Sequence, residues 1–454
     1  MSKLGNHAIV IGSGIAGLLA TRVLADYFGE VTIVERDKLP TKPQARRGVS
    51  QSIQPHILFA KGYRILETLF PNIGKNLKVA GAIPIDWARE LYHFHPHKGG
   101  WNATLDSPSS IVSFTCTRPV LETTIRQQVS QIANVNFRQQ CRVLGLLSNR
   151  SQDRVTGVRL HRFNQKTQEE LDGELVVDAS GRGSQLPDWL KQLGYQSPPM
   201  TVVNPLLGYA TRRYRIPAEA EPTGKVILIE HYPPNSTRLG YLARVEEGEW
   251  IATLGGYGHD YPPLDEKGFL AFAKSLPSPT FYEAIREAEP TTPISAHRAT
   301  ANRLYHYEDI NLPKGVAALG DAVCAPCPVY GQGMTMSALS SMVLQNWLQQ
   351  QTTKDSQQRL IAANFQKQLA KSNASAWSMA VQQDSRFTTT QGAIQSSLLS
   401  RLLSNYTNWI ARRAHQDGEF HAYFMEIAQM IRSPIAFFHP WVFFQAIKQQ
   451  AKSK

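Results

Sequence analysis

Close to the amino terminus a short β-branched run, His7-Ala-Ile-Val-Ile-Gly12, stops at glycine and opens into Gly12-Ser13-Gly14-Ile15-Ala16-Gly17. No other feature of the 454-residue chain restricts its fold as strongly. A run of this kind reads as a buried parallel strand. Residues 15–28 have helical spacing, and Glu30-Val-Thr-Ile-Val-Glu35 reads as a second strand, which makes a βαβ unit. In such a unit the first glycine permits the tight turn and the second lets the backbone approach a pyrophosphate. The third lets helix and strand pack closely, and the helix N-terminus adds amide donors. Glu35, at the end of the second strand, can accept both hydroxyls of a ribose and would repel a 2′-phosphate.

Two later segments repeat the logic of a strand that ends in an acid and a glycine turn. In Val176-Val-Asp-Ala-Ser-Gly-Arg-Gly-Ser184 the strand ends at Asp178, Gly181 turns the chain, and Arg182 or Ser184 could reach a phosphate. An ordinary Asx turn explains that segment equally well. In Ala318-Leu-Gly-Asp-Ala322, followed by Pro328-Val-Tyr-Gly-Gln-Gly-Met-Thr335 and a helix, Asp321 can bind a ribityl hydroxyl. Amides of Gly331, Gln332, Gly333 and Met334 at that helix start can stabilise negative charge on a ring carbonyl.

The remaining pattern gives the organisation. Residues 54–70 and 119–132 have amphipathic helical spacing, and three alternating segments between 137 and 178 look like hairpin strands. Strands dominate 200–294, with a helix at 267–276; 314–321 reads as a strand ending at Asp321, and periodicity is helical from 334 onward. The expected fold class is α/β. It comprises a three-layer ββα sandwich, an interleaved and mostly antiparallel β-sheet substrate domain, and a helical C-terminal region. The boundaries expected are 1–75, 110–185 and 295–345 for the first, 76–109 and 186–294 for the second, and 346–454 for the third.

Composition narrows the function classes. Lys and Arg number 48 against 36 Asp and Glu, a formal charge of +12. The basic residues are scattered, without a zinc-finger, RNP or helix-turn-helix pattern, so a nucleic-acid partner is not expected. Four cysteines are too few for a disulfide scaffold, and a reduced cytoplasmic setting is expected. No run of 18 apolar residues marks a membrane span. Cys324 and Cys327 form a CxxC without the helix N-terminus that activates a thiol, and a structural or incidental role is expected over a redox one. His93, His95 and His97 alternate as on one face of a strand. With no carboxylate in support they read as a strand edge or pocket lining, and no metal is expected.

Together, GxGxxG with a strand-end acid, the Asp178-Ala-Ser-Gly-Arg-Gly-Ser184 segment, and Gly320-Asp-Ala322 followed by PxxGQGM resemble the group A FAD-dependent monooxygenases, built on the glutathione-reductase-like FAD fold. The resemblance covers residues 1–345. Arg46-Arg-Gly-Val-Ser-Gln51 leading to Pro55-His-Ile-Leu58, the Thr-Arg-Pro-Val-Leu-Glu segment around Arg118, and Pro328-Val-Tyr-Gly-Gln-Gly-Met334 are similar to the lasalocid-type polyether epoxidase branch. The resemblance implies FAD as cofactor. Gly12, Gly14 and Gly17 would hold the pyrophosphate, Glu35 the adenosine ribose, and Arg36 would flank adenine. Arg118 would reach the phosphate or ribityl region, Val143 would meet adenine through its backbone, and Asp178 belongs to the same cofactor set. Asp321 would bind the ribityl or pyrophosphate, and Gly331 to Met334 would lie beside the isoalloxazine. Arg47 and Gln51 match the loop that crosses near the flavin. Ser50 stands where the family usually has Pro, and Gln54 where it has His.

The activity implied is insertion of one oxygen atom from O2 into a small lipophilic substrate through a flavin C4a-hydroperoxide, as alkene epoxidation or hydroxylation in secondary metabolism. No catalytic base can be assigned. Electrons would come from NAD(P)H or a partner flavin reductase, since there is no second GxGxxG. The alternatives are an FAD-dependent polyprenyl-type reductase and a non-catalytic flavin-binding protein. A halogenase is disfavoured because WxWxIP is missing: the eight tryptophans never stand two apart. The apolar segment 435–448 reads as a final core helix. The other reading is an interfacial helix with Phe437, Phe438, Trp441 and Phe444 in lipid, giving peripheral membrane contact.

Overall fold

The computed structural model describes residues 3–96, 99–355, 359–395, 406–407, 409–442 and 445. His97 and Phe444, singled out above, lie outside the described residues.

Its centre is a five-stranded parallel sheet in the order Val316–Ala318, Leu175–Asp178, Gly5–Ile11, Phe28–Val34, Val135–Arg138. Parallel strands are covered on both faces, which is why these read as continuous apolar runs. Ile9, Val10, Val31, Ile33, Val176 and Val177 are fully buried. The helices Ile15–Tyr27, Arg118–Ser130 and Gly333–Gln351 form the helical layer, and an antiparallel sheet of Cys141–Ser148, Val155–Arg162 and Thr167–Asp172 forms the third layer. Close packing of the first helix depends on Gly17, where a Cβ would stand 1.9 Å from the carbonyl oxygen of Gly12.

A second, eight-stranded sheet draws its strands from both sides of this layer in sequence. It runs Glu289–Pro290, Gly208–Arg215, Trp250–Gly256, Arg238–Arg244, Val226–Ile229, Leu91–His95, Gly100–Trp101, with Ser295–His297 beside Gly208–Arg215. All pairings are antiparallel except that of Val226–Ile229 with Leu91–His95. Side chains on a strand alternate between faces. Ile227, Ile229, Leu242, Trp250, Ala252 and Leu254 therefore share one face, packed under the helices Glu266–Lys274 and Thr280–Ile285 through Phe269 and Phe281. The opposite face carries His93, His95, Leu228, Glu230, Tyr241 and Thr253 toward a cavity.

The α/β architecture is the expected one, but four local expectations are corrected. Residues 175–178 are not a hairpin strand: Leu175 to Asp178 pair in parallel with Ala8 to Ile11. The outer hairpin strand is instead Thr167–Asp172, an exposed edge whose charged composition concealed it. The helix expected over 54–70 begins only at Ala60. Pro55 keeps Gln54 out of the helical region, and the amide of Ala60 is satisfied from outside by Gln429 Oε1 at 2.9 Å. The strand expected to reach Asp321 stops at Ala318; Gly320, at φ +65°, opens a 3-10 turn over Ala16. The C-terminal region is helical at Ala363–Asp384 and Gly418–Ala428; of the core helix expected over 435–448, Pro434–Phe438 is a 3-10 turn, residues 440–442 and 445 are helical, and residues 443, 444 and 446–448 lie outside the described residues. There Phe437 and Trp441 pack on Phe424 and Phe420, while Ile435 and Phe438 are exposed. No helix among the described residues is long and apolar enough to cross a membrane.

Candidate functional site

Ligands of parallel α/β sheets bind beyond the carboxyl ends of the strands. Gly12, Glu35, Ala179 and Asp321 each follow the carboxyl end of one of four adjacent central strands, and all four line a single cavity of about 2630 Å³. Its far wall is the inner face of the eight-stranded sheet. A pocket for one small molecule occupies roughly 300–1,000 Å³, so this space admits a large ligand and a second molecule beside it.

At the amino-terminal end, Gly12 turns at φ +95°, where a Cβ would meet the Ala179 carbonyl at 2.8 Å. Gly14 faces the cavity, and a Cβ there would find only Arg118 Nη2, at 3.9 Å. Glu35 is buried and accepts from the Ser13 amide and hydroxyl at 3.0 and 2.7 Å through Oε2, and from the Asp37 amide through Oε1. Arg46 ties this acid to its surroundings: its guanidinium reaches Glu35 at 3.2 Å, Asp37 at 3.0 Å and Glu122 at 2.8 Å. Arg118 in turn pairs with Glu122 at 3.0 Å. Burial alone would raise the Glu122 carboxyl, but Arg118 and Arg46 hold it below the usual range. Arg36 and Arg47 are exposed at the rim, Gln51 is half-buried, and Val143 is buried on a strand that meets Glu35 through the Cys141 amide. All four line the cavity.

The other end is built by the late glycine turn. Gly331 has φ +67°, and no atom lies within 4 Å of where a Cβ on Gly333 would stand. The helix Gly333–Gln351 starts here with no side-chain cap and no acid in its first turn, leaving its amide donors to the cavity. Gln332 is buried with Oε1 unpartnered, Met334 is buried beside it, and Asp321 stands 3.9 Å from Arg182. An unpartnered amide oxygen, which accepts, beside an open helix terminus, which donates, suits a ligand edge that carries both an N–H donor and a partly anionic oxygen.

The structure separates some of the expected residues from the rest. Gly17 does not line the cavity and serves packing alone. Asp178 is fully buried beneath its turn, with Oδ1 taken by the Ser180 amide and hydroxyl and Oδ2 by the Ser184 hydroxyl. It is an Asx-turn anchor, not a cavity group. Arg182 spends its donors on the carbonyls of Ala301, Ala325 and Pro326. Cys324 and Cys327 are free buried thiols, the first pushed up to about 12 by burial.

Three features escaped the sequence reading. Arg46, rather than its exposed neighbour Arg47, is the cation of the loop whose side chain is buried, and its partners Glu35, Asp37 and Glu122 carry no spacing that points at it. Gln54 ties the same loop to the eight-stranded sheet by accepting from Thr211 at 2.5 Å. Asp384 accepts from Tyr330 at 2.6 Å, Tyr257 at 3.2 Å and Asn302 at 2.6 Å. Burial raises its carboxyl to about 6 despite those three donors. Tyr330 lines the cavity, so a buried acid is linked by one hydrogen bond to the late glycine turn.

No family model matches the sequence. Over most of its length the structure resembles the flavin-dependent brominase Bmp2, with a TM-score of 0.67 at 13% identity, covering 99% of this chain and 100% of that one. It also resembles pqsL of Pseudomonas aeruginosa, described as a probable FAD-dependent monooxygenase, with a TM-score of 0.62 at 16% identity, covering 84% of this chain and 97% of that one. The fold is thus the one shared by flavin-dependent monooxygenases and halogenases. In sequence, the chain is 33% identical over 387 residues to Protein Rv3254 of Mycobacterium tuberculosis (strain ATCC 25618 / H37Rv), covering 83% of this chain and 80% of that protein. On that identity and coverage, this chain belongs to the family of Protein Rv3254.

Proposed function

We propose that the protein is an FAD-dependent monooxygenase that delivers one oxygen atom of O2 to a lipophilic organic substrate, by alkene epoxidation or hydroxylation. The observation that carries this reading is the single cavity. One wall gathers Gly14, Glu35, Arg118, Asp321 and the open helix start at Gly333; the other is a sheet face of mixed apolar and polar side chains, with room left over. Gly14 and Gly333 have the open space a cofactor backbone needs, and Gln332 Oε1 lacks a partner within the protein. The residues therefore fit an FAD.

When bound, the flavin would supply the reduction of O2 and the transfer of its oxygen. The chain's own residues bind, orient and keep the reaction dry. Glu35 would receive ribose hydroxyls through lone pairs left on Oε1. Arg118 would offset pyrophosphate charge near Gly14, and the amides opening Gly333–Gln351 would stabilise charge at the ring edge. Phe59, Trp87, Leu228, Tyr241, Phe424 and Met425 line the space beyond and exclude the water that would discharge a reactive oxygen species. Tyr330 joins that space to the Asp384 carboxyl, which holds its proton up to pH about 6. Electrons would come from NAD(P)H visiting the open rim, or from a partner flavin reductase.

The test is to reconstitute the purified protein with FAD, record its visible spectrum, and follow NADPH oxidation and O2 uptake with candidate polyenes and aromatics. The proposal expects a yellow protein and substrate-dependent O2 consumption with an oxygenated product. Absence of a flavin spectrum defeats it. Turnover that saturates an alkene without O2 would identify a reductase. A halogenated product in the presence of bromide would place the chemistry with that of the brominase it resembles.

A further inference from the structure

The inner face of the eight-stranded sheet carries a group of side chains that the flavin reading leaves without a task. His93 and His95 are two apart on the strand Leu91–His95 and so point the same way, and Glu230 follows the adjacent parallel strand, its amide bonded to the Phe94 carbonyl at 3.0 Å. His93 Nε2 and His95 Nδ1 both address the same oxygen of Glu230, at 3.2 and 2.8 Å. Their ligand atoms and the carboxylate all lie within 4.8 Å of one another. The ring of His415 stands 5.0 Å from that of His95, admitted by Gly100 opposite His95 in the register: a Cβ there would come 3.0 Å from His415 Nδ1. A fourth imidazole, His421, is fully buried behind them, and charge on His93, His95 or His415 would be felt at its ring.

This group is poorly satisfied by the protein alone. Both ring nitrogens of His421, Nε2 of His95 and Oδ1 of Asn102 are buried with no hydrogen-bond partner. Buried polar groups without partners are uncommon and costly. Two imidazoles and one carboxylate converging on a point at the cavity wall form the ligand set of a borderline divalent cation with open coordination positions.

We propose that His93, His95 and Glu230 form a binding site for a divalent cation of the zinc class, with its free positions facing the substrate side of the cavity. Binding draws Nε2 of His93 onto the ion. Its Nδ1–H then becomes a donor, and a half-turn of the Asn102 amide, now 3.5 Å away through Nδ2, presents the unpartnered Oδ1 to it. Such an acceptor behind a ligating imidazole fixes tautomer and ring orientation. The proposal stands on the sheet face alone and does not depend on FAD occupying the groove.

The test uses the untagged full-length protein, freed of metal with a chelator and titrated with cobalt(II) chloride. Saturable ligand-field bands at one equivalent are expected, displaced by zinc, which binds more tightly than cobalt in the usual order. His93→Ala and Glu230→Gln should abolish the bands, and Asn102→Ala should weaken binding about 10- to 100-fold. X-ray absorption of the wild-type cobalt complex must report imidazole nitrogens, and zinc must raise the wild-type melting temperature with concentration. These two measurements decide the matter even if a variant fails to fold. Absence of saturable bands in wild type, or bands retained in both ligand variants, overturns the proposal.

Discussion

The glycine-lined groove and the inner face of the eight-stranded sheet bound the same cavity but are made by opposite means. In the groove, backbone geometry sets the surface: Gly12 and Gly331 at positive φ, Gly14 and Gly333 open to space, and a helix start. On the sheet face, side chains set it, and they meet only after strands from residues 91–95 and 226–229 are laid side by side. A site written in turns needs contiguous residues. A site written in side chains can be scattered, and its chemistry changes with a single substitution.

The largest expected effect lies just behind the groove. Gly17→Val would force a side chain into the Gly12 carbonyl, against rigid backbone, and should cost about 3 kcal/mol or more. Thermal melting checks it, and a variant as stable as wild type would remove the close-packing argument.

Asp384→Asn tests the other side of the cavity through pH. The Asp384 carboxyl is raised in the fold to about 6 from 3.8. Its contribution to stability is thus fully present below pH 3.8 and is lost as pH rises through about 6. Wild type should lose on the order of 3 kcal/mol relative to the Asn variant across that window. Parallel stability curves from pH 3 to 8 would show the assignment to be mistaken.

Smaller effects follow for ligand retention. Glu35→Ala removes the acceptor of Ser13 and a partner of Arg46, and should weaken FAD binding about 10- to 100-fold, at 1–3 kcal/mol for a buried charged hydrogen bond. Asp321→Ala should weaken it as well, and equilibrium dialysis measures both; unchanged flavin affinity in the pair would contradict the groove mapping. Gln54→Leu, which unties the crossing loop from Thr211, should cost only about 1 kcal/mol. A denaturant titration resolves it.

What could be read ahead of the structure follows the same division. Gly12, Gly14, Glu35 and the Gly331–Met334 turn were legible because each motif is local and its spacing is dictated by a turn and a helix start. Asp178 carried the same outward signature, yet Ser180 and Ser184 consume it, which only the fold of the turn reveals. Glu230 lies more than a hundred residues from His93, and alternation on one strand says nothing about which strand lies beside it. The edge strand Thr167–Asp172 was hidden by its charge, and the helix expected from 54 was shortened by Pro55 and by a cap borrowed from Gln429. Arg46 was passed over for Arg47 because adjacent arginines look alike until burial chooses between them.

Arg46 also couples parts of the molecule that have different jobs. Arg46, on the crossing loop, pairs with Glu35 and Asp37 after the second central strand and with Glu122 on the helix that carries Arg118. A nucleotide bound as proposed would compete for Glu35 and shift the balance among these partners. Under the proposed reading the crossing loop would then respond to whether the groove is filled, although it lies outside the late glycine turn.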